Sequence, residues 1–323
     1  MPRLRRVRPG VDAGIRRLRA GAGFRYVDHR GAGIDEVDRE RITRLVIPPA
    51  WRDVWISAAP NGHIQAIGVD DAGRTQYLYH PDWAPKRDKG KYARALQLAE
   101  ALPRARARVT TALRQEGLDR ERVLAAAFRL LDQAAVRIGS ERHLARTGNR
   151  GLTTLQRRHA SVGGAMVSLS FPGKSGRRQL IEIDDADLAA AVQLLAAGRP
   201  SSPLLSWQRG RRRTRLLPQE VNAYVRELTG GDFTAKDFRT LRGTILAADT
   251  LARIGTVDTK RDRKRAEVLA VQRAADALGN TPSVARGSYI DPRVFSRYRK
   301  GRMLDTSVSP ESAIRALISG EHP

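Results

Sequence analysis

Tyr289 is the side chain best placed by sequence to act as a nucleophile, because the residues before it prescribe how it is presented. In the stretch 278–292, Leu-Gly-Asn-Thr-Pro-Ser-Val-Ala-Arg-Gly-Ser-Tyr-Ile-Asp-Pro, Gly279-Asn280 has turn chemistry, Thr281 suits a helix N-cap and Pro282 suits the first helical position. The pattern predicts Asn280 in a loop and Tyr289 about two turns along a short helix, an amide beside a phenol. A half-buried tyrosine packing a C-terminal helix fits the same stretch. Arg239 is the next candidate. Thr234 opens a predicted helix with apolar Phe238, Leu241, Ile245 and Leu246 on one side, and Arg239 falls in its first turn. Free amides and the positive helix end oppose a cation there, so an arginine makes electrostatic sense where a phosphate or carboxylate offsets the repulsion. Two other cations say less alone. Arg137 is expected at a helix C-terminus, which favours a cation anyway, and Lys174 at the tip of a hairpin, where most lysines are solvated.

Composition narrows the partner. The chain has 323 residues, room for two domains with real cores, and no cysteine, which excludes disulfides and thiolate metal sites. Its histidines are scattered without metal-ligand spacing, and no apolar run is long enough for a signal peptide or a membrane span. A soluble, cytoplasmic protein without metal is expected. Lys and Arg number 59 against 34 Asp and Glu, a formal charge of +25. Such a field attracts a polyanion and predicts salt-dependent, largely sequence-independent affinity for nucleic acid. No basic amphipathic helix flanked by Trp or Phe points to a membrane surface instead.

The elements that must position these groups fall into an α+β arrangement. Residues 1–23 are Arg- and Gly-rich with little periodicity and read as a mobile basic arm or a loosely docked start. Phe24–Val27 alternates like a strand, and Asp35 to Val46 resembles a short helix. Val54–Ser57, Ile64–Val69 and Thr75–His80 are strand-like runs separated by hairpin punctuation. The last of them sets Gln76 on one face and Tyr77 with Tyr79 on the other, beside Arg74. That pattern suits contacts along a nucleic-acid groove and equally suits ordinary strand aromatics. Residues 81–91 combine two prolines, a glycine and a charge run, as an interdomain linker does. The predicted division is therefore a small antiparallel β-sheet domain over 1–90 and a larger, mostly helical domain over 91–323 that contains a β-hairpin. In the second, 92–116 and 119–138 have helical periodicity, and 165–183 switches to period two about the turn Pro172-Gly173-Lys174-Ser175-Gly176. Gly-Lys-Ser invites comparison with a nucleotide-binding loop, but Ser168 stands where that motif needs glycine and a strand follows where it needs a helix. ATP binding is thereby excluded. The run Trp207 to Arg213 suits a phosphate backbone or a mobile loop, and 258–267 is a charged, exposed stretch.

Four separated motifs, in order, carry a family resemblance. Gly151-Leu152-Thr153-Thr154-Leu155 with His159 after it, Gly173-Lys174-Ser175-Gly176, Lys236-Asp237-Phe238-Arg239-Thr240, and Gly279-Asn280-Thr281-Pro282 followed by Tyr289 resemble a type IB DNA topoisomerase of the compact poxvirus and bacterial kind. Gln76-Tyr77-Leu78-Tyr79 extends the likeness into the N-terminal domain, so that it runs from about Phe24 to Tyr298. The resemblance implies a monomer that clamps double-stranded DNA with its N-terminal sheet domain and cuts one strand with its helical domain. Tyr289 would form a 3′-phosphotyrosyl link, and the stored ester would make ATP, metal and cofactor unnecessary. Arg137 and Arg239 match phosphate-clamping arginines, Lys174 the lysine that protonates the leaving 5′-oxygen, and Lys236 a nearby assistant. Arg74, Gln76, Tyr77 and Tyr79 become candidate DNA contacts, and a nucleoid location follows.

Two positions depart from the family pattern. Asn280 stands where many members have histidine; its NH₂ can donate the same hydrogen bond but cannot carry charge. Leu241 stands where an aromatic is often seen, a change of packing. A tyrosine recombinase shares the arginine-rich site and C-terminal tyrosine, but usually carries histidine shortly before the second arginine, where Lys236-Asp237-Phe238 stands. A non-catalytic nucleoid protein would explain only the charge.

Overall fold

The computed structural model describes residues 4–173, 178–210 and 212–320, with 84–89 described through their backbone alone. The chain divides into two compact units, Met1–Gly90 and Lys91–Pro323.

In the first unit, β1 (Gly14–Ala20), β2 (Gly23–Val27), α1 (Glu36–Arg44), β3 (Arg52–Ser57), β4 (Ile64–Val69) and β5 (Thr75–Tyr79) build an antiparallel sheet in the order β2-β1-β3-β4-β5. Its core is Ile15, Ile42, Val54, Ile56 and Ala66. The stretch read as a mobile arm or loosely docked start thus contains a structural strand, β1, inside the sheet between β2 and β3. Two core positions of that strand are Ile15 and Arg17, both buried, and an arginine on the core face conceals the alternation that would have announced it. The guanidinium of Arg17 is kept there by donating to the carbonyls of Ile47, Pro48 and Trp51 at 3.3, 3.1 and 2.6 Å, with its centre 4.1 Å from the Phe24 ring. Ahead of β1, the amide of Arg5 donates to Asn61 and its carbonyl accepts from His63.

Residues 83 to 91 are helical rather than a linker: α2 runs Trp83–Leu113, and the division between units falls within it. Pro85 does not oppose this, because in the first turn its missing N–H has no intrahelical partner to lose. The remaining elements of the second unit are α3 (Arg120–Ala134), α4 (Glu141–Thr147), β6 (Ala160–Gly163), β7 (Met166–Pro172), β8 (Arg178–Asp184), α5 (Ala186–Ala196), β9 (Ser206–Arg209), β10 (Arg212–Arg215), α6 (Pro218–Thr229), α7 (Ala235–Ile254), α8 (Lys260–Leu278), α9 (Pro282–Ser288), α10 (Pro292–Arg299) and α11 (Pro310–Ser319). The expected hairpin is the β7–β8 part of a three-stranded sheet, β6-β7-β8, and the basic run from Trp207 forms a second hairpin, β9–β10. The charged stretch beginning at 258 is helical from Lys260 onward.

Helix α3 is the spine of this unit. It is buried without a break from Arg122 to Phe128, and Phe128 meets Phe238 of α7 edge to face at 5.3 Å between ring centres. That contact brings α7, and the residue after Phe238, beneath the C-terminal end of α3.

Candidate active site

Four of the five predicted catalytic side chains converge on the C-terminal end of α8. Arg137 reaches it from outside any helix. Ala135 adopts a left-handed conformation, φ 49°, which stops α3 at Ala134, so Arg137 lies beyond that helix instead of in its last turn as expected. Its segment is pressed against the Gly151 motif: the amides of Leu152 and Thr153 donate to the carbonyls of Arg137 and Ile138 at 2.8 and 2.9 Å. A Cβ at Gly151 would stand 2.5 Å from the Arg137 carbonyl oxygen, so only glycine allows this approach. From this ledge Arg137 donates through Nη2 to the carbonyl of Gly279 at 3.0 Å and to Oδ1 of Asn280 at 2.5 Å.

Arg239 arrives from the other side. Thr234 caps α7 as expected and its amide donates to Asp237 at 2.9 Å, which places Arg239 at the fifth helical residue, just past the first turn. It is 4 % exposed and donates to the carbonyls of Ala135 at 2.6 Å and Leu278 at 2.9 Å. These carbonyls end α3 and α8, so the negative ends of two helices offset its buried charge in place of a bound anion. One of its three nitrogens is left over: Arg239 Nε is buried without a partner.

Asn280 follows the Gly279 turn, in a loop as predicted. Gly279 has φ 57°, a left-handed conformation that favours glycine, and the end of the Gln179 side chain fills the space a Cβ would enter. With Oδ1 taken by Arg137 and its own amide given to Ala275, the buried Asn280 has Nδ2 as an unpartnered donor. Thr281 and Pro282 begin α9 as the sequence prescribes, but Tyr289 terminates that helix, its amide donating to Ala285. It is partly exposed, and Arg239 lies 4.8 Å from its ring centre.

These cations act on the phenol. Burial alone would raise the Tyr289 pKa, but the positive charges of Arg239, then Arg137, then Lys236, draw it below its ordinary value. Burial, reinforced by Arg239 and opposed by Tyr289, lowers Arg137 to about 10. Other tyrosines behave oppositely: burial raises Tyr298, whose hydroxyl donates to the Gly255 carbonyl, and pushes Tyr224 up to about 12. Lys236 is exposed in the first turn of α7. Lys174, with Ser175 and Gly176, lies outside the described residues. His159, which closes the Gly151 motif, is buried and neutral, Nδ1 accepting from the Gln156 amide while burial and then Arg150, Arg158 and Arg178 lower it to about 4.

A phenol depressed by three cations, with Arg239 against its ring and Arg137 joining that group to Asn280, is suited to bond an anionic centre and hold its oxygens. Residues 80–303 match the family model described as eukaryotic DNA topoisomerase I, catalytic core. The chain belongs to the type IB DNA topoisomerases. Residues 23–70 also match the bacterial DNA topoisomerase IB N-terminal domain. Over 95 % of this chain and 97 % of the relative's, the sequence is 27 % identical to the DNA topoisomerase 1B of Acanthamoeba polyphaga mimivirus. The enzyme is an isomerase that acts on DNA, and among its described residues no helix is long and apolar enough to cross a membrane.

In the sheet of this topoisomerase, Tyr77 and Tyr79 are exposed on one face of β5, stacked with ring centres 5.9 Å apart. Arg74 and Gln76 are both engaged by Asp70, at 2.7 and 2.8 Å, and the hydrogen bonds from Arg74 lead in holding that carboxyl down at about 2.

The sequence reading passed over several residues that shape the site. Glu267 of α8 is buried and accepts from Arg286 of α9 and Arg299 of α10, the helices on either side of Tyr289. Within a charged run nothing distinguished it. Gly243 and Thr244 of α7 touch the main chain at Tyr289, and here a signal existed: a glycine in the interior of a long helix marks a close approach.

Proposed function

We propose that Tyr289 attacks a phosphodiester of duplex DNA, giving a 3′-phosphotyrosyl link and a free 5′-hydroxyl, and that the 5′-hydroxyl later attacks that link to reseal the strand. The observation that carries this reading is the pair of buried donors without partners, Arg239 Nε and Asn280 Nδ2, beside a phenol already drawn toward ionisation. Unpaired buried donors cost stability unless a ligand completes them, and a non-bridging phosphate oxygen does so with added charge. Arg137 neutralises the remaining charge. Lys174 donates the proton that the departing 5′-oxygen needs, a role resting on the family motif in the sequence, with Lys236 assisting nearby. Because the ester conserves the energy of the broken bond, neither ATP nor metal enters the cycle.

The first unit, 1–90, serves in this reading as the DNA clamp, with Tyr77 and Tyr79 presented to the duplex and Arg74 and Gln76 steadied beside them; 91–323 is the catalytic unit. The enzyme works as a monomer in the nucleoid, held to DNA by its net charge of +25.

Tyr289→Phe tests the reading, since it keeps the ring and removes the attacking oxygen. The variant is expected to bind duplex DNA with parental affinity, to give no covalent adduct on denaturing gels, and to leave supercoiled plasmid unrelaxed. Relaxation by this variant would transfer the role to Tyr298 or Tyr224.

A further inference from the structure

Thr244 is 3 % exposed, on α7 beyond Arg239, and its hydroxyl sits in a fork of the main chain around the nucleophile. It lies 3.3 Å from the carbonyl oxygen of Tyr289 and accepts from the amide of Asp291 at 3.1 Å, while 2.8 Å from the carbonyl of Thr240 in its own helix. One hydroxyl proton serves either carbonyl, and the lone pairs hold the amide. Thr250, on the same helix, makes only the internal bond, to Leu246. An ordinary helical threonine does no more than that. Thr244 differs by reaching a second segment.

That segment is where a hold matters. Tyr289 ends α9 and Asp291 caps α10, so only Ile290, fully buried, lies between the two helices. Next to Thr244, a Cβ on Gly243 would stand 2.7 Å from the Tyr289 carbonyl oxygen and 3.2 Å from the Tyr289 Cβ. Absence of a side chain at 243 and presence of a hydroxyl at 244 together seat the tyrosine backbone against α7. The same helix carries Arg239 five residues earlier, about 7.5 Å along the axis.

We propose that Thr244 is a positioning residue for strand cleavage: through Tyr289 O and the Asp291 amide it registers the nucleophile against Arg239, with α7 as the common ruler. The inference rests on Tyr289 being the nucleophile.

The test uses the full-length enzyme, compared for duplex affinity and for the single-turnover rate of covalent adduct formation on plasmid DNA at saturating enzyme. Thr244→Val keeps the shape and removes the fork, and is expected to slow adduct formation about 10- to 100-fold while affinity stays within about two-fold, since misplacing a reacting group affects the chemical step. Thr244→Ser restores the hydroxyl and is expected within about three-fold of the parent rate. Gly243→Ala, which pushes on the same carbonyl without touching the hydroxyl, is expected to slow the rate like valine does, and it reads the seat independently if the valine variant fails to fold. Parental cleavage by Thr244→Val, a serine variant as slow as valine, or affinity that falls in step with rate would each overturn the proposal. Tyr289→Phe run alongside separates the two levels: an adduct in that variant removes the nucleophile assignment itself, whereas its absence confines any failure to Thr244.

Discussion

Arg17 on β1 and Arg239 on α7 are both buried guanidinium groups gripped by main-chain carbonyls, three for the first and two for the second. Arg17 adds an aromatic face, Phe24, and among the described residues it keeps no buried nitrogen unpaired. Arg239 has Tyr289 beside it and keeps Nε unpaired. The same device therefore supports two outcomes. Where the carbonyls and the ring satisfy the cation, it ties a sheet to a turn; where one donor remains, the protein holds a charge rigidly in readiness for something else. Between these two arginines the difference is the unfilled donor beside Tyr289, not burial.

The comparison breaks most visibly at Arg239. Arg239→Ala is expected to slow single-turnover cleavage by on the order of 10²–10³, the loss seen when one preorganised donor is removed from a developing charge, with little change in DNA affinity. It should also move the pH profile. Arg239, Arg137 and Lys236 together draw the Tyr289 phenol below its ordinary pKa, so removing the strongest of them raises that pKa, leaves less phenolate at any given pH, and shifts the rising limb of the rate profile to higher pH. A slowed variant with an unmoved limb would mean the two groups are not electrostatically linked.

At Arg17 the expected loss is of stability. Arg17→Met strands three carbonyls and is expected to cost about 2–3 kcal/mol in denaturant unfolding. Unfolding can be followed by tryptophan fluorescence, since Trp51, Trp55 and Trp83 precede residue 91. Under folding conditions the rate of cleavage within the bound complex should be parental, and a loss like that of Arg239→Ala would abolish the distinction.

The smallest effect belongs to the turn that Arg17 holds. Val46 is 80 % exposed with φ 47°, a left-handed conformation that a β-branched residue resists. Val46→Gly removes that strain without removing packing and is expected to raise stability by about 1 kcal/mol, net of glycine's extra freedom when unfolded. An unchanged midpoint in the same titration would show that the turn is relaxed and that Arg17 has nothing to restrain.

Legibility in the sequence divided along the same line. The Gly279-Asn280 turn, the Thr281 cap and Pro282 could be read because local backbone chemistry dictates them, and they delivered Asn280 to its loop. Strand β1 could not, because Arg17 occupies a core position that hydrophobic periodicity scores as surface. Arg137 is expected at a helix end because nothing in Leu130 to Ile138 announces that Ala135 turns left-handed; the partners of the chain beyond the turn, the Gly151 segment, and of the Ala135 carbonyl, Arg239, are distant in sequence. For Arg239 the electrostatic puzzle was visible, a cation near a helix N-terminus, but half of its answer was not. The offset comes from the ends of α3 and α8, which only the tertiary fold brings together.

Those anchors are main-chain oxygens, and this changes what substitution can do. At positions 135 and 278 the groups that grip Arg239 belong to no particular amino acid, so a lineage can exchange those side chains for others of fitting shape without editing the grip at all. Gly279 has less latitude, since its carbonyl serves Arg137 while its left-handed turn strains any residue with a side chain. A library randomised across 277–281 would thus be expected to return varied residues at 278 and a narrower choice beside it, although both hold an arginine by the same kind of atom.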